Sequence, residues 1–164
     1  MISRGKLWLA LLAVLVVCLV RADGAQRGAQ RSPRRAPALI GNIEGAVDDS
    51  SCGCNFRFPS DRNARRYVFF EDFSADAPVM NVGGHDVKLA LARTTEPDAG
   101  VRRKGDRFSR WYTSGKLKVR MDFVATSVCA ADDEQCEGNS YNVTISAREG
   151  DRRQTLRVVG GCGC

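Results

Sequence analysis

The tripeptide Cys-Gly-Cys occurs twice, as Cys52-Gly53-Cys54 and as Cys162-Gly163-Cys164. No other feature restricts the fold as much. Residues two apart in a strand face the same side, so two adjacent strands carrying this tripeptide bridge twice, like rungs. Antiparallel strands give Cys52–Cys164 and Cys54–Cys162; parallel strands give Cys52–Cys162 and Cys54–Cys164. Either pairing closes a loop of more than a hundred residues, a constraint of about 4–5 kcal/mol in the chain-entropy model. The second rung adds much less, because the first has already closed the loop. Two other readings compete. Cys52, Cys54, Cys162 and Cys164 as thiolates would suit Zn²⁺ or Cu(I), and a disulfide within one tripeptide would be a strained, oxidising redox pair.

The compartment ranks structural disulfides first. Arg4 and Lys6 precede an apolar run from Leu7 to Val20, the pattern of a secretory signal peptide. Small residues fit cleavage after Ala22 or Gly24, so residues 1–24 are expected to be removed. The run has 14 residues, short of the roughly 20 that span a bilayer, and no second apolar segment follows. The expected setting is secreted or periplasmic, where an even number of cysteines implies disulfides. Six remain after Cys18, in the leader, is set aside. Cys129 and Cys136 flank an acidic loop and are expected to pair with each other.

Residues 25–50 are rich in Gly, Pro, Arg and small side chains and read as a flexible basic linker. Arg27, Arg31, Arg34 and Arg35 supply the whole surplus of positive charge outside the leader. From Ala38 onward 18 basic residues face 18 acidic ones, so overall charge gives no specific nucleic-acid signal.

Residues 51–164 read as one β-domain. Leu117, Val119, Met121, Phe123 and Ala125 alternate with Lys116, Lys118, Arg120, Asp122 and Val124, the period of a half-buried strand. Tyr141, Val143, Ile145 and Ala147 repeat the pattern, and "EGDRR" then turns toward Leu156 and Val158, predicting a hairpin. Strands are also expected over Arg66–Phe73, Pro78–Val82 and the stretch beginning at His85, with Val87, Leu89 and Leu91 on one face. No segment has a helical period. The expected class is all-β: a small antiparallel β-sandwich or barrel of six to seven strands, stapled by disulfides.

Catalytic constellations are not found. His85 is the sole histidine, Glu71-Asp72 point to opposite faces, and Asp132-Asp133-Glu134 read as a solvated loop. No cofactor is implied, and the expectation is a non-enzymatic protein. A binding surface is better supported. Val101–Arg120 holds eight basic residues and one acid, Asp106, with Phe108, Trp111 and Tyr112 interleaved. This mixture grips polyanions or the acidic cleft of a protein. The candidate binding residues are Arg102, Arg103, Lys104, Arg107, Phe108, Trp111, Ser114 and Lys116. For Lys116, Lys118 and Arg120 the plainer reading is the solvent face of a strand. Asn142-Val143-Thr144 is a glycosylation sequon.

Residues 78–121 resemble the membrane-bound C-type lysozyme inhibitor family. "MNVGGHDVKL" is similar to its turn and strand, "KGDRF" (Lys104–Phe108) to its inhibitory loop, and "WYTSG" (Trp111–Gly115) to its tryptophan element. The resemblance implies a compact secreted β-barrel that inserts a loop Ser and a Lys into lysozyme. Here Lys104 stands at the Ser position and Ser114 at the Lys position. Three functions therefore follow as expectations: a secreted domain that binds a macromolecule, with lysozyme inhibition as one form; metal handling through the paired cysteines; and a structural envelope or extracellular component.

Overall fold

The computed structural model describes residues 38–48, 50–61, 66–75, 77–130, 133 and 135–164. The expected leader, residues 25–37 of the expected linker, and Asp132 and Glu134 of the acidic loop lie outside them.

Ten strands form one antiparallel sheet: β1 (Ile40–Gly41), β2 (Gly53–Arg57), β3 (Phe69–Asp72), β4 (Val79–Val82), β5 (His85–Lys88), β6 (Ala90–Thr94), β7 (Arg107–Ser114), β8 (Leu117–Ser127), β9 (Gly138–Glu149) and β10 (Arg152–Gly163). Their order is β1-β4-β3-β2-β10-β9-β8-β7-β6, with β5 on the other side of β4. The long strands β8–β10 are the part with the strictest alternation in sequence. The expected inward set of β8 is buried throughout, as are Tyr141, Val143, Ile145 and Ala147 of β9. The expected hairpin is β9–β10, turning between Glu149 and Arg152.

The sheet curls over its apolar face. Phe56 of β2 meets Phe123 of β8 edge-on at 5.6 Å between centroids, and Phe69 of β3 meets Tyr112 of β7 at 5.5 Å. Phe108 stacks on Phe123 at 4.3 Å. Strands far apart in sheet order thus share one core. The sheet does not close into a barrel, and it has more strands than the six to seven expected. The segment His85–Thr94 is interrupted at Leu89: its first half pairs with β4 and its second with β7. Leu89 is buried and Val87 packs against the core as expected, but Leu91, beside a register shift between Leu91 and Arg93, is about half exposed and leaves that face. Beside β6 the sheet opens as a groove lined by Phe73, Pro78 and Leu91.

The sheet begins ahead of residue 51. Leu39 and Ile40 are buried in the core, and β1 pairs with β4. Two side chains hold this segment through its backbone. The Gln154 amide oxygen accepts from the N–H groups of Leu39 and Ile40, and the Asp86 carboxylate accepts from those of Glu44 and Gly45. Residues 38–48 therefore belong to the β-structure rather than to a free linker.

All three expected disulfides are present, with the antiparallel choice for the paired tripeptides: Cys52–Cys164, Cys54–Cys162 and Cys129–Cys136. Cys54 lies opposite Cys162, and Gly53 opposite Gly163. The glycine spacers have a steric cause. A Cβ on Gly53 would overlap the Glu71 carbonyl of β3, and one on Gly163 would overlap the Glu137 carbonyl next to β9. Only a residue without a side chain lets the flanking strands close up on both sides of the double bridge. The four sulfurs are bonded to one another, which leaves no thiolate among them for the metal reading. Three disulfides match an oxidising, extracytoplasmic environment.

Candidate anion-binding face

Strand β7 divides the expected binding residues between two faces. Inward point Phe108, Arg110 and Tyr112; outward point Arg107, Ser109, Trp111 and Thr113. Phe108 is a core residue at 4% exposure, so its place in an exposed binding set is corrected. The period of two that governs β8 also runs through β7, but a cation at the central inward position hides it in the sequence.

That cation is held by acids from two other segments. Arg110 Nη1 lies 2.9 Å from Glu71 Oε2 on β3, and its Nε lies 3.0 Å from Glu96 Oε2 beyond β6. The guanidinium also packs over the rings of Phe108 and Phe123 at about 5.5 Å. Burial opposes its charge, but the Tyr112 and Glu96 oxygens outweigh that and hold it protonated. Burial pushes the Glu71 carboxyl above its ordinary range, with Arg110 opposing and Glu96 adding. Burial likewise pushes the Tyr112 hydroxyl up to about 12. The network is charge-compensated and ties β7 to β3 across the core.

The outward face is different. Trp111 stands between Arg93 of β6 and Arg120 of β8, its direct cross-strand partners. Each guanidinium packs on the indole, at 4.8 Å and 5.4 Å from the ring centre. Arg120 pairs with Asp122 at 2.8 Å. One row further along the sheet, Lys118, Arg148 and Arg153 are also direct cross-strand partners. All three are exposed, and adjacent strands lie about 4.8 Å apart. Among the described residues none of the three has a carboxylate within ion-pair distance. Like charges placed directly opposite one another destabilise a sheet, so this row is tolerated against its own electrostatics. Arg157, exposed on β10, extends the basic face.

Hydroxyl and amide groups fill the positions between the cations. Ser146 and Thr155 face each other with oxygens 3.2 Å apart, in the same row as Arg120. Thr144, Asn142 and Arg157 line a shallow groove of about 470 Å³ with Val124, Val159 and Pro59. A second groove of about 390 Å³ is bordered by Lys116, Lys118, Arg148 and Gly150. The sequon residue Asn142 is exposed on this face.

The remaining expected residues do not join this row. Arg102, Arg103 and Lys104 are exposed in the loop before β7. There the Asp106 carboxylate accepts from the backbone N–H groups of Arg102 and Arg103 and pairs with the Arg103 side chain at 3.2 Å. Those hydrogen bonds hold Asp106 below its ordinary range, chiefly the one from Arg102. Ser114 ends β7 at the opposite end, and Lys116 lies in the turn to β8. At about 3.3 Å per residue the two ends of this strand are roughly 23 Å apart. Lys104 and Ser114, the two positions singled out by the lysozyme-inhibitor resemblance, thus lie toward opposite ends of β7. His85 is exposed, while its neighbour Asp86 serves the backbone anchor described above.

Reading the sequence did not single out Arg93, Arg148, Arg153 or Arg157 for this face. They come from three strands, and only the register brings them beside Lys118 and Arg120. Outward alternation along the expected hairpin β9–β10 is the signal that places Arg148 and Arg153 together. Among the described residues no group of three or more His, Cys, Asp or Glu side chains is arranged to hold a metal, and no helix is long and apolar enough to cross a membrane. Comparison with family models, curated proteins and solved structures finds no match.

Proposed function

We propose that the protein is a secreted or periplasmic, non-enzymatic β-domain that binds an anionic macromolecule through the outer face of β6–β10. The observation that carries this reading is the row Lys118–Arg148–Arg153, three exposed cations in direct register that have no carboxylate within ion-pair distance among the described residues. A sheet can lower the cost of such a row by binding an anion across it. The Arg93–Trp111–Arg120 stack supports the same reading, because guanidinium groups held against an indole lose less freedom on binding. Inhibition of lysozyme, which the resemblance of residues 78–121 implies, is a narrower form of the same reading.

The test is binding to a panel of polyanions (heparin, polyglutamate and duplex DNA) by the oxidised protein at several salt concentrations. At least one member should bind with an affinity that falls steeply with salt. The triple variant K118S/R148S/R153S should lose that binding, whereas R102A/R103A/K104A should weaken it less. Equal affinity of the first variant and the parent removes the proposal.

A further inference from the structure

We infer that the ligand of this face is a linear, hydroxyl-rich anionic polymer, a carboxylated or sulfated polysaccharide, lying across β8, β9 and β10. The inference rests on the binding function proposed above and adds the ligand's chemical class. Three observations select it. First, across β8–β10 the cations are interspersed with hydroxyl groups and with one acid, Asp122, which pairs with Arg120, rather than with aromatics. The row Lys118–Arg148–Arg153 is followed along the strands by Arg120–Ser146–Thr155 and then by Asp122–Thr144–Arg157. A polymer presenting both anions and hydroxyls finds a partner for each.

Second, the face offers no platform for bases. Single-stranded nucleic acid is gripped by stacking on open aromatic rings. Trp111, the aromatic residue on these rows, already carries a guanidinium from each flanking strand. The large hydrophobic side chains that are exposed among the described residues, Phe73 and Leu91, lie at the groove beside β6 instead.

Third, the face is broad and lacks an element that could enter a duplex groove. Shallow recesses beside Lys118–Arg148 and beside Asn142–Thr144–Arg157 give a chain room to lie along the surface.

The experiment compares heparin, polygalacturonate, polyglutamate, single-stranded and duplex DNA and vesicles with anionic lipid, at matched salt, using the oxidised protein. The expected result is tightest binding to one of the two polysaccharides. K118S/R148S/R153S should weaken it at least tenfold and lower the salt slope by about one per cation removed. S146A/T155V removes both hydroxyls and keeps β-compatible side chains. It should weaken polysaccharide binding several-fold and leave polyglutamate binding unchanged. Tighter binding to either DNA or to the vesicles overturns the polysaccharide assignment while the anion-binding face stands. So does S146A/T155V binding polysaccharide like the parent. Failure to bind any polyanion, or binding insensitive to K118S/R148S/R153S, overturns both readings.

Discussion

Arg110 on β7 and Arg120 on β8 lie one register position apart, yet they stand on opposite faces of the sheet, and the two faces treat charge in opposite ways. Inside, Arg110 is bracketed by Glu71 and Glu96 and laid over two phenyl rings. Outside, Lys118, Arg148 and Arg153 stand in register with no acid between them. The inner charge is compensated because burial would otherwise be prohibitive. The outer row is solvated, so it survives without compensation at a modest cost. Compensated charge therefore belongs to the architecture here, and uncompensated charge marks the surface available to a ligand.

The largest expected effect concerns the inner face and its double bridge. Replacing all four cysteines of the two tripeptides with Ser opens loops of 112 and 108 residues and should cost about 5 kcal/mol in urea melts. Replacing only Cys52 and Cys164 should cost a small part of that, because Cys54–Cys162 still closes the loop. Equal losses would mean that the bridges act through local packing rather than through the unfolded chain. Next in size is Arg110→Ala, which leaves Glu71 half-buried without its cation and should lower stability by about 3 kcal/mol. Arg93→Ala or Arg148→Ala should stay within about 0.5 kcal/mol. If the outer substitutions cost as much as the inner one, the contrast between the faces fails.

That contrast also explains what could be read from the sequence. The meander from β8 to β10 was legible because its apolar residues hold a strict period of two. The disulfide partners were legible up to one choice, strand direction, which depends on long-range pairing. Strand β7 was not, because Arg110 occupies an inward position and its partners Glu71 and Glu96 are 39 and 14 residues away. Strand β1 was not, because two residues in a Gly- and Pro-rich stretch carry no period, and their hold comes from Gln154 and Asp86. The binding candidates were half legible: Trp111 and the outward cations of β8 lie in one stretch, but Arg93, Arg148 and Arg153 reach the same face only through register. Sequence proximity instead suggested grouping Lys104 with Ser114, which β7 holds apart.

A smaller effect follows from the cation row itself. Arg148→Ser relieves two direct like-charge neighbours and should raise stability by a few tenths of a kcal/mol at low salt. The gain should vanish near 1 M salt, where the Debye length falls to about 3 Å. A matched substitution at Arg120, which has Asp122 beside it, should give no gain. Melts of the two variants across a salt series measure the difference directly, and a salt-independent change at Arg148 would show that repulsion is not its cause.

The smallest effect is a slope with pH. Burial raises the Glu71 carboxyl above its ordinary value near 4.5, so the folded state holds that proton more tightly than the unfolded chain. Its contribution to stability is therefore complete below about pH 4.5 and is lost as pH rises through the folded-state value. Asp86 has the opposite sign. Burial works against its charge, but hydrogen bonds from Asn81, Gly45 and Glu44 prevail and lower it. Its contribution is present above the ordinary value near 3.8 and is lost as pH falls. The parent should thus lose stability on both sides of the weakly acidic range, for reasons that lie on different residues. Glu71→Gln should flatten the decline on the alkaline side of that range and leave the acid limb intact. A decline that persists unchanged in this variant would show that the inner network is not titrating, and that Arg110 keeps Glu71 ionised throughout.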